Sequence, residues 1–112
     1  MATNAELAYA ILDEYVKLRQ STDQVFITYG ELASLIGRPG QHALLGGPLD
    51  LVRDICRGLS IPDIATMVIN QASMKSGKLL PSGAALDKYG GWPGLRKEQA
   101  RALAFDWNTY HR

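Results

Sequence analysis

The chain has 112 residues, of which 46% are apolar and 21% are charged, with twelve basic against eleven acidic side chains. This length predicts a single domain over residues 1–112, and the composition is typical of a globular protein rather than a disordered one. No apolar run approaches the ~20 residues that a membrane-spanning helix needs. The net charge of +1 is lower than is usual for a dedicated nucleic-acid-binding protein.

The only cysteine of the sequence, Cys56, excludes an internal disulfide and fits a reducing compartment, so we expect a cytoplasmic protein. The N-terminus has neither the basic flank nor the apolar core of a signal peptide. Cys56 falls on the apolar side of a helix expected over Leu49–Leu59, near its C-terminal end, where the helix dipole opposes a thiolate. We therefore expect a buried structural thiol rather than a nucleophile.

The first segment predicts a helix over Asn4–Arg19. Thr3 and Glu6 have the spacing of a capping box, in which each side chain bonds to the main chain of the other. The apolar residues that follow form a helical stripe, made of Leu7, Ile11 and Leu18. After a polar break, Val25–Ile27 is short and rich in β-branched and aromatic residues, which indicates a small strand.

The stretch from Phe26 to Leu49 predicts two short helices around a tight turn. Thr28 and Glu31 form a second capping box, and the apolar residues that follow fall on one helical face, namely Leu32, Leu35 and Ile36. Gly37 can adopt the left-handed conformation that ends a helix. The second helix is expected from Gly40 or Gln41 through Leu45, with a kink or restart at Gly46-Gly47-Pro48. This pattern predicts either a helix-turn-helix or an ordinary pair of core-packing helices.

The second half of the chain predicts a β-hairpin and a final helix. Ile64–Ile69 has the strongest strand pattern, and Lys78–Pro81 is interpreted as the returning strand, with a polar tip between them. Ser82–Gly94 is expected to be a loop that carries Trp92 and either holds a partner or packs on the core. The final helix is expected over Leu95–Tyr110, with its apolar side formed by Leu95, Leu103, Trp107 and Tyr110.

Three short motifs together resemble the helix-turn-helix of the alkylguanine-DNA alkyltransferases and their alkyltransferase-like relatives. They are Thr28-Tyr29-Gly30-Glu31-Leu32-Ala33, Gly37-Arg38-Pro39 and Ala43-Leu44-Leu45-Gly46-Gly47-Pro48-Leu49. The resemblance implies a winged-helix scaffold that binds the DNA minor groove, with Tyr29 helping to rotate a nucleotide outward. It covers about two dozen residues well.

The sequence departs from the family pattern at two positions that the family uses for base flipping and alkyl transfer. The family carries an arginine, which replaces the rotated base in the stack, at the position of Ala43. The alkyl-accepting cysteine of the family corresponds best to Asp63, within Pro62-Asp63-Ile64-Ala65. The resemblance therefore implies DNA binding without alkyl transfer, and the lost arginine argues against base flipping.

We therefore predict an α+β domain of winged helix-turn-helix type, mostly helical, with a small β-hairpin. The leading hypothesis is a DNA-binding protein that is not an enzyme, with contacts from Tyr29, Arg38, Gln41, His42, Lys75 and Lys78. The alternative is a protein-binding regulator or inhibitor, of the kind carried by phages or mobile elements, which binds its partner through Trp92. Neither hypothesis requires a cofactor, a metal or a membrane, because no ligand set or phosphate-binding glycine motif is present in the sequence.

Overall fold

The structure, a computed structural model, describes residues 2–81 and 83–110. The described part of the chain is mostly helical, with two very short strands. The helices are α1 (Asn4–Ser21), α2 (Tyr29–Leu35), α3 (Gly46–Gly58), α4 (Gln71–Ser76), α5 (Gly83–Lys88) and α6 (Trp92–Ala104). The strands are β1 (Ile27–Thr28) and β2 (Val68–Ile69), and 3₁₀ turns occupy His42–Leu45, Ile64–Met67 and Trp107–Thr109.

Helix α1 forms one wall of the core and packs mainly against α3. The predicted capping box is confirmed, since Thr3 and Glu6 exchange side-chain to main-chain hydrogen bonds. The helix continues two residues beyond the predicted end, to Ser21. Tyr15 lies fully inside and donates a 2.8 Å hydrogen bond to the carbonyl of Val25, which ties the end of α1 to the segment that enters β1.

Helix α2 begins where the sequence predicts, because Thr28 and Glu31 form the expected capping box. Leu32 is fully buried, but Leu35 is 43% exposed, so the prediction that Leu35 faces the core is wrong. The buried face contains Ala33 instead, and Ile36, directly after the helix, packs against the core as predicted. Gly37 adopts the expected left-handed conformation, with φ of 78°.

The expected restart at the glycine pair is confirmed. The segment before it is a 3₁₀ turn over His42–Leu45 rather than an α-helix, and α3 begins directly after it at Gly46. Short 3₁₀ turns are common at the ends of α-helices. Cys56 is fully buried on the inner face of α3, as predicted, whereas Leu59 lies beyond the helix end and is 44% exposed.

The predicted β-hairpin is wrong. Strand β2 pairs with β1 in parallel, with Ile27 opposite Val68 and Thr28 opposite Ile69. Lys78–Pro81, the predicted returning strand, forms no strand. The polar segment after β2 forms helix α4, because the Asn70 side chain caps it by accepting a 2.6 Å hydrogen bond from the main chain of Ser73. The α+β class and the dominance of helix are confirmed, and the described residues contain no antiparallel wing.

The predicted loop before the last helix contains helix α5, while Ser82 lies outside the described residues. Helix α6 begins at Trp92, earlier than predicted, and ends at Ala104. Its inner face differs from the predicted one, since Leu103 is 47% exposed and the buried positions are Leu95, Gln99 and Ala102.

The buried amide of Gln99 connects α6 to two other segments. Its Nε2 donates hydrogen bonds of 2.9 Å to the carbonyls of Thr66 and Leu79, and its Oε1 accepts one of 2.6 Å from Arg96. Leu79 has a positive φ of 52°, which is uncommon for a residue other than glycine. The hydrogen bonds from Gln99 and Arg96 hold its carbonyl in place.

Leu32→Ala should reduce the free energy of unfolding by about 2–5 kcal/mol, because it opens a cavity in a closed core. Leu35→Ala is the matched control on the same helix, and its cost should stay within about 0.5 kcal/mol because the residue is largely exposed. Chemical denaturation of both variants measures the difference. Equal losses for the two leucines would contradict the orientation of α2.

Candidate functional site

A shallow groove of about 290 Å³ lies beside the start of α2. We call it the Tyr29 groove, and its lining residues are Thr28, Tyr29, Gly30, His42, Asn70 and Gln71. Three segments that are distant in sequence meet here: the junction of β1 with α2, the 3₁₀ turn before α3, and the start of α4. The parallel pairing of Thr28 with Ile69 explains this arrangement, because each strand leads directly into a helix.

Two of the predicted DNA-contact residues line this groove together, namely Tyr29 and His42. A third, Lys75, is exposed and lies four residues after Gln71 on α4, so the two share one face of that helix. The structure thus brings together residues from both predicted helices and from the segment predicted as the wing.

The other three predicted contact residues do not line the groove. Gln41 is exposed directly before the 3₁₀ turn, and half-buried Arg38 precedes it in the connecting turn, where its carbonyl accepts a 3.0 Å hydrogen bond from the main chain of Gln41. Lys78 is also exposed, but its main chain is held by Arg96 of α6. Sequence reasoning missed Asn70 and Gln71, although an asparagine three residues before a serine could have indicated a helix cap.

Trp92 lies at the first position of α6 rather than in a loop. Its side chain is part of the surface, with 40% exposure, and the guanidinium of Arg96 lies 4.6 Å from the ring centroid. This is the geometry of a cation–π contact. The prediction that Trp92 is available to a partner is compatible with this exposure.

A buried polar cluster joins the segment before the 3₁₀ turn at Ile64–Met67 to α6. Asp63 is 5% exposed, and its Oδ2 accepts a 2.5 Å hydrogen bond from the hydroxyl of Tyr89. Its Oδ1 accepts one of 3.0 Å from the main chain of Ala65. The main chain of Asp63 donates a 2.8 Å hydrogen bond to Glu98, which also pairs with Arg101 at 2.7 Å. We call Asp63, Tyr89 and Glu98 the Asp63 cluster.

Glu98 joins the cluster from α6. Only 12% of its side chain is exposed, because it reaches inward to the main chain of Asp63. Gly94 sets the position of Tyr89 in the same cluster. A Cβ at Gly94 would lie 1.9 Å from the carbonyl oxygen of Tyr89, so only glycine fits there without movement.

Burial dominates the ionisation of this region. It raises the pKa of Asp63, while the hydrogen bonds from Tyr89 and Ala65 act in the opposite direction. Burial and the neighbouring Asp63 raise the pKa of Tyr89. The phenol therefore stays protonated and donates a hydrogen bond to Asp63. Burial likewise raises the pKa of Cys56 to about 12. At neutral pH Cys56 is therefore a thiol enclosed in the core and not a nucleophile.

Two pockets border the Asp63 cluster and share Asp63, Tyr89 and Arg53 as walls. The smaller, of about 80 Å³, also reaches Tyr29 and Gly46 and is mostly apolar. The larger, of about 300 Å³, we call the arginine pocket. It is lined by Arg53, Arg57, Ser60, Ile61, Asp63, Tyr89, Glu98 and Arg101.

Across residues 2–81 and 83–110, no three His, Cys, Asp or Glu side chains are grouped so that they could hold a metal ion.

Comparisons of the chain with protein-family models, curated proteins and solved structures found no match. The likeness to the alkyltransferases therefore rests on the short motifs alone. The structure adds the positions of their residues: Tyr29 and Gly46 line the same small pocket as Asp63. None of the helices in the described ranges is long and apolar enough to span a membrane.

Asp63→Asn should change how stability depends on pH. Because the pKa of Asp63 is raised in the folded protein, the native state binds more protons than the unfolded state above the ordinary carboxyl value of about 4. The stability that Asp63 contributes therefore falls as the pH rises through this window. Asparagine does not titrate. Its side-chain oxygen can accept the hydrogen bond from the main chain of Ala65, and its amide can donate one to the hydroxyl of Tyr89.

The stability of Asp63→Asn relative to the unmodified protein should consequently increase as the pH rises above about 4. Urea denaturation of both proteins at several pH values measures this difference. A difference that stays constant, or that shrinks as the pH rises, would contradict the raised pKa.

Proposed function

We propose that this protein binds DNA without catalysing a reaction, through the face that carries the Tyr29 groove. One observation carries the proposal: Tyr29 and His42, from separate predicted contact segments, line one groove with the amides Asn70 and Gln71. Lys75 continues this face along α4. Amide, imidazole and hydroxyl groups beside a lysine suit hydrogen bonds to phosphates and base edges.

The start of α3 supports the same proposal because it exposes small residues beside Leu44, which is 53% exposed. Ala43, Gly46 and Gly47 are all exposed, and a Cβ at Gly46 would meet no atom within 4 Å. Such a surface permits close approach of another backbone. We further propose that α2 and α3 act as a helix-turn-helix of alkyltransferase-like type, with α4 in the position that a wing takes.

The absence of catalysis in this proposal follows from the state of two side chains. Cys56 is buried, and its raised pKa keeps it protonated. Asp63, at the position of the family's acceptor, has both carboxylate oxygens engaged by Tyr89 and Ala65. Base rotation is left out of the proposal, because Ala43 cannot fill the space of an extruded base.

Lys75→Ala should weaken the binding of duplex DNA of any sequence. The fixed cations predicted as contacts are Arg38, Lys75 and Lys78, so log affinity should fall against log salt with a slope of roughly −3. Removing Lys75 should make that slope shallower by about one. Titration of a labelled duplex from about 50 mM salt upward measures both quantities.

Lys17→Ala is the matched control for this experiment, since it also removes one lysine. Lys17 is 72% exposed on α1, pairs with Glu14, and lines a hollow with Gln20 and Tyr110 rather than the Tyr29 groove. Its affinity and slope should equal those of the unmodified protein. If no duplex binds at the lowest salt, or if both lysine variants weaken binding equally, the proposed DNA face is wrong.

A second candidate function is a protein-binding regulator or inhibitor of phage or mobile-element type, favoured by the surface stack of Trp92 and Arg96. Tryptophan and arginine dominate the binding energy of many protein interfaces. Arg96 is held in place by the carbonyls of Lys78 and Leu79, so the stack is attached to a fixed part of the fold. The low net charge of +1 also suits this function.

Under this second function, Trp92→Ala should reduce partner capture at least tenfold, because it removes the central aromatic residue of the patch. The measurement is affinity purification from the native host, with one half of each sample treated with nuclease. Leu103→Ala is the control, since Leu103 is 47% exposed on the same helix. Capture that requires intact nucleic acid, or that both variants retain, would count against the protein-binding function.

A further inference from the structure

The arginine pocket plays no part in the proposed DNA face, since none of its lining residues belongs to the Tyr29 groove. Its arginines come from two helices: Arg53 and Arg57 from α3, and Arg101 from α6. Arg53 and Arg57 are four residues apart, so they lie on one face of α3. The hydroxyl-bearing Ser60 follows directly after the end of that helix.

Two of the three guanidinium groups have donors that the described residues leave largely unused. Arg101 is engaged by Glu98 at 2.7 Å. Arg53 approaches only Asp50, at 4.0 Å, and that carboxylate is already bound by Lys88. Arg57 makes no hydrogen bond or ion pair with any residue in the described ranges. Arg53 is notable because only 20% of its side chain is exposed, and a charge with so little access to water normally has a close partner.

The carboxylates of the pocket form no salt bridge with Arg53, although its positive charge counteracts the burial that raises the pKa of Asp63. Asp63 is engaged by Tyr89 and Ala65, and Glu98 is engaged by the main chain of Asp63 and by Arg101. The arginines outnumber the carboxylates by one among the lining residues. An anion that enters the pocket would therefore meet unsatisfied guanidinium donors and carboxylates that are already hydrogen-bonded.

We propose that the arginine pocket binds the phosphate group of a small ligand, either inorganic phosphate or a small phosphate ester. Two guanidinium groups on one helix face can bind a phosphate through paired hydrogen bonds, and a dianion matches the charge of Arg53 and Arg57. The volume of about 300 Å³ is at the lower end of small-molecule sites, which leaves room for more than the phosphate itself. The site is separate from the DNA face, so it stands whether or not DNA binds there.

Calorimetric titration with inorganic phosphate tests the proposal, with acetate at equal ionic strength as the second probe. The unmodified protein should bind phosphate saturably and acetate at least tenfold more weakly. Arg57→Gln should weaken phosphate binding about tenfold or more, because it removes a charge-assisted hydrogen-bonding group. Arg57→Lys should recover only part of the affinity, since lysine keeps the charge but not the paired donors.

Arg38→Gln is the matched control, because it removes an arginine that does not line the pocket. It should bind phosphate as the unmodified protein does, whereas Arg57→Gln should keep the unmodified affinity for duplex DNA. Circular dichroism confirms that each variant is folded, and exposed Arg57 is chosen because its replacement leaves the core intact.

The proposal is overturned if no saturable binding is seen at phosphate concentrations up to about 10 mM. A dissociation constant above that value would be far weaker than that of most specific small-ligand sites. Equal binding of acetate would also overturn it, as would equal losses for Arg57→Gln and Arg38→Gln, which would indicate nonspecific attraction. If Arg57→Gln weakens DNA and phosphate binding alike, the pocket contacts the DNA backbone and not a small ligand. Titration of glycerol phosphate separately measures the affinity for a phosphate ester, and Arg57→Gln should lose as much affinity for this ester as for inorganic phosphate.

Discussion

The buried amide of Gln99 is the interaction on which the second half of the molecule depends. It connects α6 to the 3₁₀ turn at Thr66 and to the segment that carries Leu79. Loss of the amide would remove its hydrogen bond to the buried carbonyl of Thr66, at a cost of about 1–3 kcal/mol, and would leave the carbonyl of Leu79 with Arg96 as its donor. The same turn contains Ala65, whose main chain donates to Asp63, and the main chain of Asp63 donates in turn to Glu98 of α6. Asp63 lines both pockets around the cluster, so the segments that Gln99 joins lie next to both of them.

The pairing of β1 with β2 has a comparable role for the Tyr29 groove. Each strand has only two residues, and the pair would not be stable by itself. It is held between core residues, because Ile27, Val68 and Ile69 are almost completely buried. The pair therefore serves to align the starts of α2 and α4, which brings Tyr29 near Asn70. The Tyr29 groove thus depends on a short parallel pairing, whereas the Asp63 cluster depends on the hydrogen bonds of Asp63 to Tyr89, Ala65 and Glu98.

The features that could be predicted from sequence are those set by neighbouring residues. Both capping boxes, the left-handed Gly37 and the restart at Gly46 depend on residues within four positions of one another. The hairpin prediction failed because the partner of Val68 is Ile27, a residue that no local pattern indicates. The Asp63 cluster was missed for the same reason, since Tyr89 and Glu98 lie 26 and 35 residues away along the chain. Tyr29 and His42 were predicted together only because of the family resemblance.

The close contact at Gly94 has a consequence for how sequence variation in this protein should be interpreted. Gly94 lines neither pocket and has no side chain, yet the first turn of α6 can approach Tyr89 only because its Cβ is missing. An alanine there would push the 89–91 corner outward and withdraw the phenol from Asp63, which would open the wall that the two pockets share. A mutational scan scored by ligand binding would therefore rank this glycine with the residues of the site, although it contacts no ligand. Its importance comes from the space that it leaves empty.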